Sequence, residues 1–132
     1  MAKPKLLRVG KVSIGGKTPA FILGPCVIES EKFVRRMAKK ISEACASENV
    51  DFIFKASYDK ANRTSVHSFR GIGVREGCEI LSEIGGELKI PVTTDVHSVD
   101  EADIAGEKID MGGGLVTLER AKVIRYQDRE KA

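Results

Sequence analysis

Apolar residues alternate with polar ones at the start of the chain, with Leu7, Val9, Val12 and Ile14 set around Gly10. Gly15-Gly16 then offers the positive φ angles of a tight turn, and the apolar run 20–23 returns. The pattern predicts a small β-hairpin leading into a first core strand. That strand must turn at Gly24-Pro25-Cys26. Ser30 is placed to cap a helix, and Val34, Met37, Ala38, Ile41, Ala44 and Cys45 follow at helical spacing. Lys32, Arg35, Arg36, Lys39 and Lys40 fill the opposite, solvated face.

Residues 50–54 form a second apolar run and predict a second strand. Val74, Gly77, Cys78, Leu81 and Ile84 predict a second helix, with Gly85-Gly86 as its stop. Residues 88–96 predict a third strand. Ser98-Val99-Asp100-Glu101 is a capping box opening a third helix that runs to about Ala105, and residues 108–111 could begin a fourth strand. Strand and helix alternate throughout, which argues for an α/β fold with parallel strands. In such folds the carboxyl ends of the strands carry the chemistry. Cys26, Lys55 with the residues after it, and Asp95 with His97 all follow strand ends, so they are expected on one face of the sheet.

The stretch 54–73 has its own composition. An apolar run stops at Lys55, and Lys60, Asn62, Arg63, Thr64, Ser65, Ser68 and Arg70 follow before Gly71 and Gly73. Fixed cations and hydroxyls of this kind can hold phosphate and carboxylate groups. A plain solvated basic loop has the same composition.

The chain has 132 residues, enough for one domain with a real core. Its net charge of +3 is too small to point to nucleic acid, and no apolar run approaches the length of a membrane span. Three widely spaced cysteines argue against a disulfide framework and for a reducing cytoplasm. Cys45 and Cys78 fall on apolar helix faces and read as core. His67 and His97 read as hydrogen-bonding residues rather than ligands. Gly71 and Gly73 are read as shaping a turn.

Four segments together resemble 3-deoxy-8-phosphooctulonate synthase: 24–30 (Gly-Pro-Cys-Val-Ile-Glu-Ser), 54–65 with its Lys-Ala-Asn-Arg run, 67–71, and 93–97 (Thr-Thr-Asp-Val-His). The resemblance implies a TIM (β/α)8 barrel that condenses phosphoenolpyruvate with arabinose 5-phosphate and releases phosphate. It places Lys55 and Lys60 against phosphoenolpyruvate and Asn62, Arg63 and Thr64 on the sugar phosphate. Asp95 would lie near the reacting end of the sugar, making Lys55, Lys60 and Asp95 the catalytic candidates. Cys26 is similar to the cysteine of the metal-dependent class, which would use zinc, iron or manganese; an inert thiol is the other reading.

A complete barrel takes about 250 residues. The resemblance therefore implies about half of one over residues 1–111, with a divergent basic tail at 112–132. On that reading a metal would be held poorly and the chain alone would be inactive and would form a homo-oligomer. A related heptulosonate-phosphate synthase, or a non-catalytic half-barrel that binds anions or a partner, are the competing readings.

Overall fold

The Ser30 hydroxyl accepts the Phe33 N–H at 3.1 Å and starts helix α1, Glu31–Ser47, as its sequence predicts. The computed structural model describes residues 6–60 and 69–109. Before α1 come three short strands, β1 (Leu7–Val9), β2 (Val12–Ile14) and β3 (Phe21–Leu23). After it come β4 (Phe52–Lys55), α2 (Val74–Leu88), β5 (Val92–Thr93) and α3 (Val99–Lys108).

The hairpin is present but smaller than expected. β1 and β2 pair antiparallel, with Val9 opposite Val12, so the chain turns at Gly10, whose φ is +57°. Gly15-Gly16 is not the hairpin turn, and the run 20–23 does not return to β1. Its strand instead lies parallel to β4, with Phe21 opposite Phe52 and Leu23 opposite Phe54. β4 is central, because β5 pairs parallel to its other side with Lys55 opposite Thr93. The fold is thus α/β, with helices linking parallel strands; among the described residues the sheet is open and no barrel closes.

Phe52, Ile53 and Phe54 are all buried, as a central parallel strand with both faces covered requires. Phe52 and Phe54 pack with Val34 and Ala38 of α1 and with Ile80, Leu81 and Ile84 of α2. Arg35 ties these helices together on the outside, binding Glu31, Glu83 and Glu87. Cys45 and Cys78 are buried, in agreement with the helical pattern.

Element ends differ from the sequence expectation for local reasons. β4 starts two residues late, because the Val50 N–H is taken by the Cys45 carbonyl at the end of α1. α2 runs straight through Gly85 and Gly86 and stops where Lys89 adopts the left-handed conformation, its N–H returning to the Gly85 carbonyl. Gly85 is there for proximity instead: a Cβ on it would stand 3.1 Å from both the Ile90 carbonyl oxygen and the Val92 side chain. β5 is only two residues long, since residue 88 is still helical and Thr94 turns its hydroxyl to the Ala56 carbonyl at 2.9 Å. α3 continues past Ala105 to Lys108, and Asp110 and Met111 of the expected fourth strand lie outside the described residues.

Candidate active site

Lys55 closes β4, Asp95 lies two residues beyond β5 and Cys26 three beyond β3, so all three follow carboxyl ends of parallel strands. The segments that carry them run side by side. Val27 forms a parallel bridge with Ser57, whose carbonyl accepts the Ile28 N–H at 2.9 Å. Gly24 explains how β3 can leave the sheet so close to β4. A Cβ at that position would lie 1.7 Å from the Lys55 carbonyl oxygen, so only glycine fits.

Ser57 is completely buried and joins the ionisable groups. Its Oγ accepts from Lys60 Nζ at 2.9 Å and from Lys55 Nζ at 3.3 Å, and donates to Asp95 Oδ1 at 2.5 Å. Lys55 Nζ also stands 3.4 Å from Asp95 Oδ1. Burial alone would raise the Asp95 pKa. The Ser57 hydrogen bond and the Lys55 charge outweigh it, and the carboxyl titrates below the ordinary range. Two ammonium groups and one carboxylate leave a surplus positive charge, suited to an anion.

The next layer fixes the cluster's surroundings. His97 Nε2 is 3.2 Å from the Asp59 carbonyl oxygen and 3.7 Å from Asp95 Oδ2. The His97 N–H donates to Glu101, whose own N–H is capped by Ser98. The capping box is therefore present, with its glutamate reaching one residue further back than expected. The Tyr58 ring meets the His97 ring edge to face, 5.8 Å between centroids. Tyr58 is fully buried, and burial followed by the Glu101 charge raises its pKa and keeps the phenol protonated.

Of the residues predicted from sequence, Lys55, Lys60 and Asp95 are brought together, and His97 acts as a hydrogen-bonding residue. Asn62, Arg63, Thr64 and His67 lie outside the described residues. Cys26 is exposed, and among the described residues no group of three His, Cys, Asp or Glu side chains could hold a metal. One thiol is not a metal centre, which needs at least three protein ligands. The described residues do not fit a complete metal site, and none of the chemistry below passes through one. The Cys78 thiol is pushed up to about 11 by burial and then by Glu101, and stays protonated at neutral pH.

Sequence reasoning missed Ser57 as the common partner of the cluster. Its signal was period two: Ser57 follows Lys55 on an extended stretch, so both side chains share a face. A cleft of about 830 Å³ opens at the other end of the strands, beside Phe52 and Val92, and carries none of these residues.

The family model of the DAHP synthetase I family matches residues 3–113. The chain belongs to the DAHP synthetase I family. Its curated relatives are more specific. A Koribacter versatilis protein named 2-dehydro-3-deoxyphosphooctonate aldolase is 50% identical over 104 residues, covering 79% of this chain and 37% of its own. Proteins of the same name from Geotalea uraniireducens and Geobacter sulfurreducens are 46% and 47% identical, over 81% and 80% of this chain and 40% and 39% of theirs. The resemblance carried by the Lys-Ala-Asn-Arg run is thus borne out. The chain spans about two fifths of the length of these DAHP synthetase I family relatives. Lys55, Ser57, Lys60 and Asp95 all fall within the stretch matched by the family model.

Proposed function

We propose that the chain carries the phosphoenolpyruvate-binding part of a 3-deoxy-8-phosphooctulonate synthase, built from the β/α units of a (β/α)8 barrel. The observation that carries this reading is the Lys55–Ser57–Lys60 cluster against Asp95, at the carboxyl ends of parallel strands. The name these relatives share supports the octulosonate product over the heptulosonate one.

In the proposed reaction C3 of phosphoenolpyruvate bonds to the aldehyde carbon of arabinose 5-phosphate and the aldehyde oxygen takes up a proton; water adds at C2, and the C2–O bond to phosphate breaks to leave the ketone and free phosphate. Lys55 and Lys60 supply fixed cations for the carboxylate and phosphate of phosphoenolpyruvate, and the positive charge is in place before charge develops. Asp95, held ionised, serves as a hydrogen-bond acceptor or base toward a sugar hydroxyl and not as an acid. Asn62, Arg63 and Thr64 hold the sugar's phosphate by family resemblance. A divalent metal, if the whole protein uses one, would have Cys26 among its ligands.

Calorimetry with phosphoenolpyruvate, arabinose 5-phosphate and erythrose 4-phosphate tests this reading. Binding of the first two is expected, and Arg63→Ala should weaken arabinose 5-phosphate by roughly 1.5–3 kcal/mol. Preference for erythrose 4-phosphate would favour the heptulosonate reading. Absence of phosphoenolpyruvate binding would overturn the proposal. Binding without phosphate release when both substrates are present is what the 132-residue chain alone should show.

A further inference from the structure

Lys60 belongs to the cluster through its side chain, but its backbone is held elsewhere. The Lys60 N–H donates to the Arg70 carbonyl at 2.6 Å. Arg70 also grips Asp59 with two parallel bonds, Nε to Oδ1 at 3.0 Å and Nη2 to Oδ2 at 2.9 Å. Just beyond, the Gly73 N–H donates to the Tyr58 carbonyl at 3.3 Å. Gly71 has a φ of +137°, and a Cβ on it would lie 1.9 Å from that same carbonyl oxygen. On the other side the Asp59 carbonyl faces His97 Nε2. Residues 58–60 and 70–73 are therefore bound to each other along their length, and the Asp59–Arg70 fork is the only side-chain pair among these contacts in the described residues.

We propose that Asp59 and Arg70 are positioning residues for anion binding, fixing the backbone of Lys60 so that its ammonium reaches Ser57. The inference rests on the reading of Lys60 as a phosphoenolpyruvate-binding group. The geometry leaves Lys60 two anchors, the Arg70 carbonyl for its backbone and Ser57 for its head. A four-carbon stem has many rotamers, and a fixed backbone together with the Ser57 bond confines the ammonium to one place. The guanidinium fork fits a carboxylate in one plane, which a lysine ammonium cannot reproduce. Arg70 is 61% exposed at its side chain, so the pair contributes little to global stability. Its consequence falls on where Lys60 stands.

The experiment is calorimetry of the 132-residue chain with phosphoenolpyruvate, alongside thermal unfolding, for Arg70→Lys, Asp59→Asn and the double variant Asp59→Asn/Arg70→Gln. Each single change is expected to weaken binding about threefold to tenfold, with the unfolding midpoint nearly unmoved. The double variant should be no weaker than a single one, because one fork is lost in each case. Full affinity in Arg70→Lys and Asp59→Asn would overturn the inference while leaving the functional reading in place. Losses that add in the double variant, or that track a fall in the midpoint, would overturn it as well. Failure of the parent chain to bind phosphoenolpyruvate would overturn the functional reading and this inference with it.

Discussion

The Ser57 hydroxyl donates to the Asp95 carboxylate, joining residues 38 positions apart at the ends of adjacent parallel strands. Both candidate lysines point at the same oxygen. Ser57→Ala removes this shared partner without adding volume. It should weaken phosphoenolpyruvate binding by about tenfold, or ~1.4 kcal/mol, measured by calorimetry. Unchanged affinity would show that the lysines act without it.

Gly24 and Gly86 make a matched pair for stability. Gly24→Ala drives a methyl into the Lys55 backbone and should cost about 1–3 kcal/mol or more, as overpacking does. Gly86 lies inside α2 with nothing within 4 Å of its would-be Cβ. Gly86→Ala should therefore stabilise the chain by roughly 0.8–1.0 kcal/mol, the helix-propensity difference. Urea unfolding distinguishes the two, and equal midpoints would contradict the close approach of β3 to β4.

Asp95 makes stability depend on pH in a defined direction. Its folded pKa lies below the ~3.9 of an unfolded aspartate. The stabilisation is thus fully present above that value and is lost as pH falls through the folded pKa. Urea midpoints followed from neutral pH down to about 3 should fall more steeply in the parent than in Asp95→Asn. Parallel curves would mean that the carboxylate gains nothing from Ser57 and Lys55.

Metal retention should be poor. Cys26 is the one candidate ligand placed among the described residues, and it is exposed. Elemental analysis after dialysis should find little zinc, iron or manganese. A stoichiometric metal that disappears in Cys26→Ala would reverse this expectation.

Self-association is expected at β3. Its outer edge pairs with no strand among the described residues, and Phe21 and Ile22 are 41% and 51% exposed there. Open apolar edges template pairing with another chain. Light scattering should report an oligomer, and Ile22→Lys should shift it toward monomer. A monodisperse monomer in the parent would contradict the prediction.

The starts of α1 and α3 were legible because caps are local: Ser30 and Ser98 each act three residues away. That the core strands run parallel was legible from alternation, but their lengths were not. Pairing across the sheet set those, as when Thr94 leaves the ladder to bond Ala56. Gly85-Gly86 misled for a related reason. Packing against Ile90 and Val92 overrode the low helix propensity of glycine. In the candidate site, charge made Lys55, Lys60 and Asp95 visible in sequence. Ser57 carries no charge, and its role exists only once β4 and β5 are paired.

The central place of β4 has a kinetic consequence. Parallel neighbours cannot form as local hairpins, so β3 meets β4 only when the α1 crossover closes, and β5 meets it only through α2. The contact of Ser57 with Asp95 has no counterpart in a chain that has completed only the first crossover. A ligand held by the whole cluster therefore binds the finished fold and ignores the unfolded ensemble. If the cluster binds an anion as proposed, mass action would pull the folding equilibrium toward completion, and the anion's concentration would set the folded fraction.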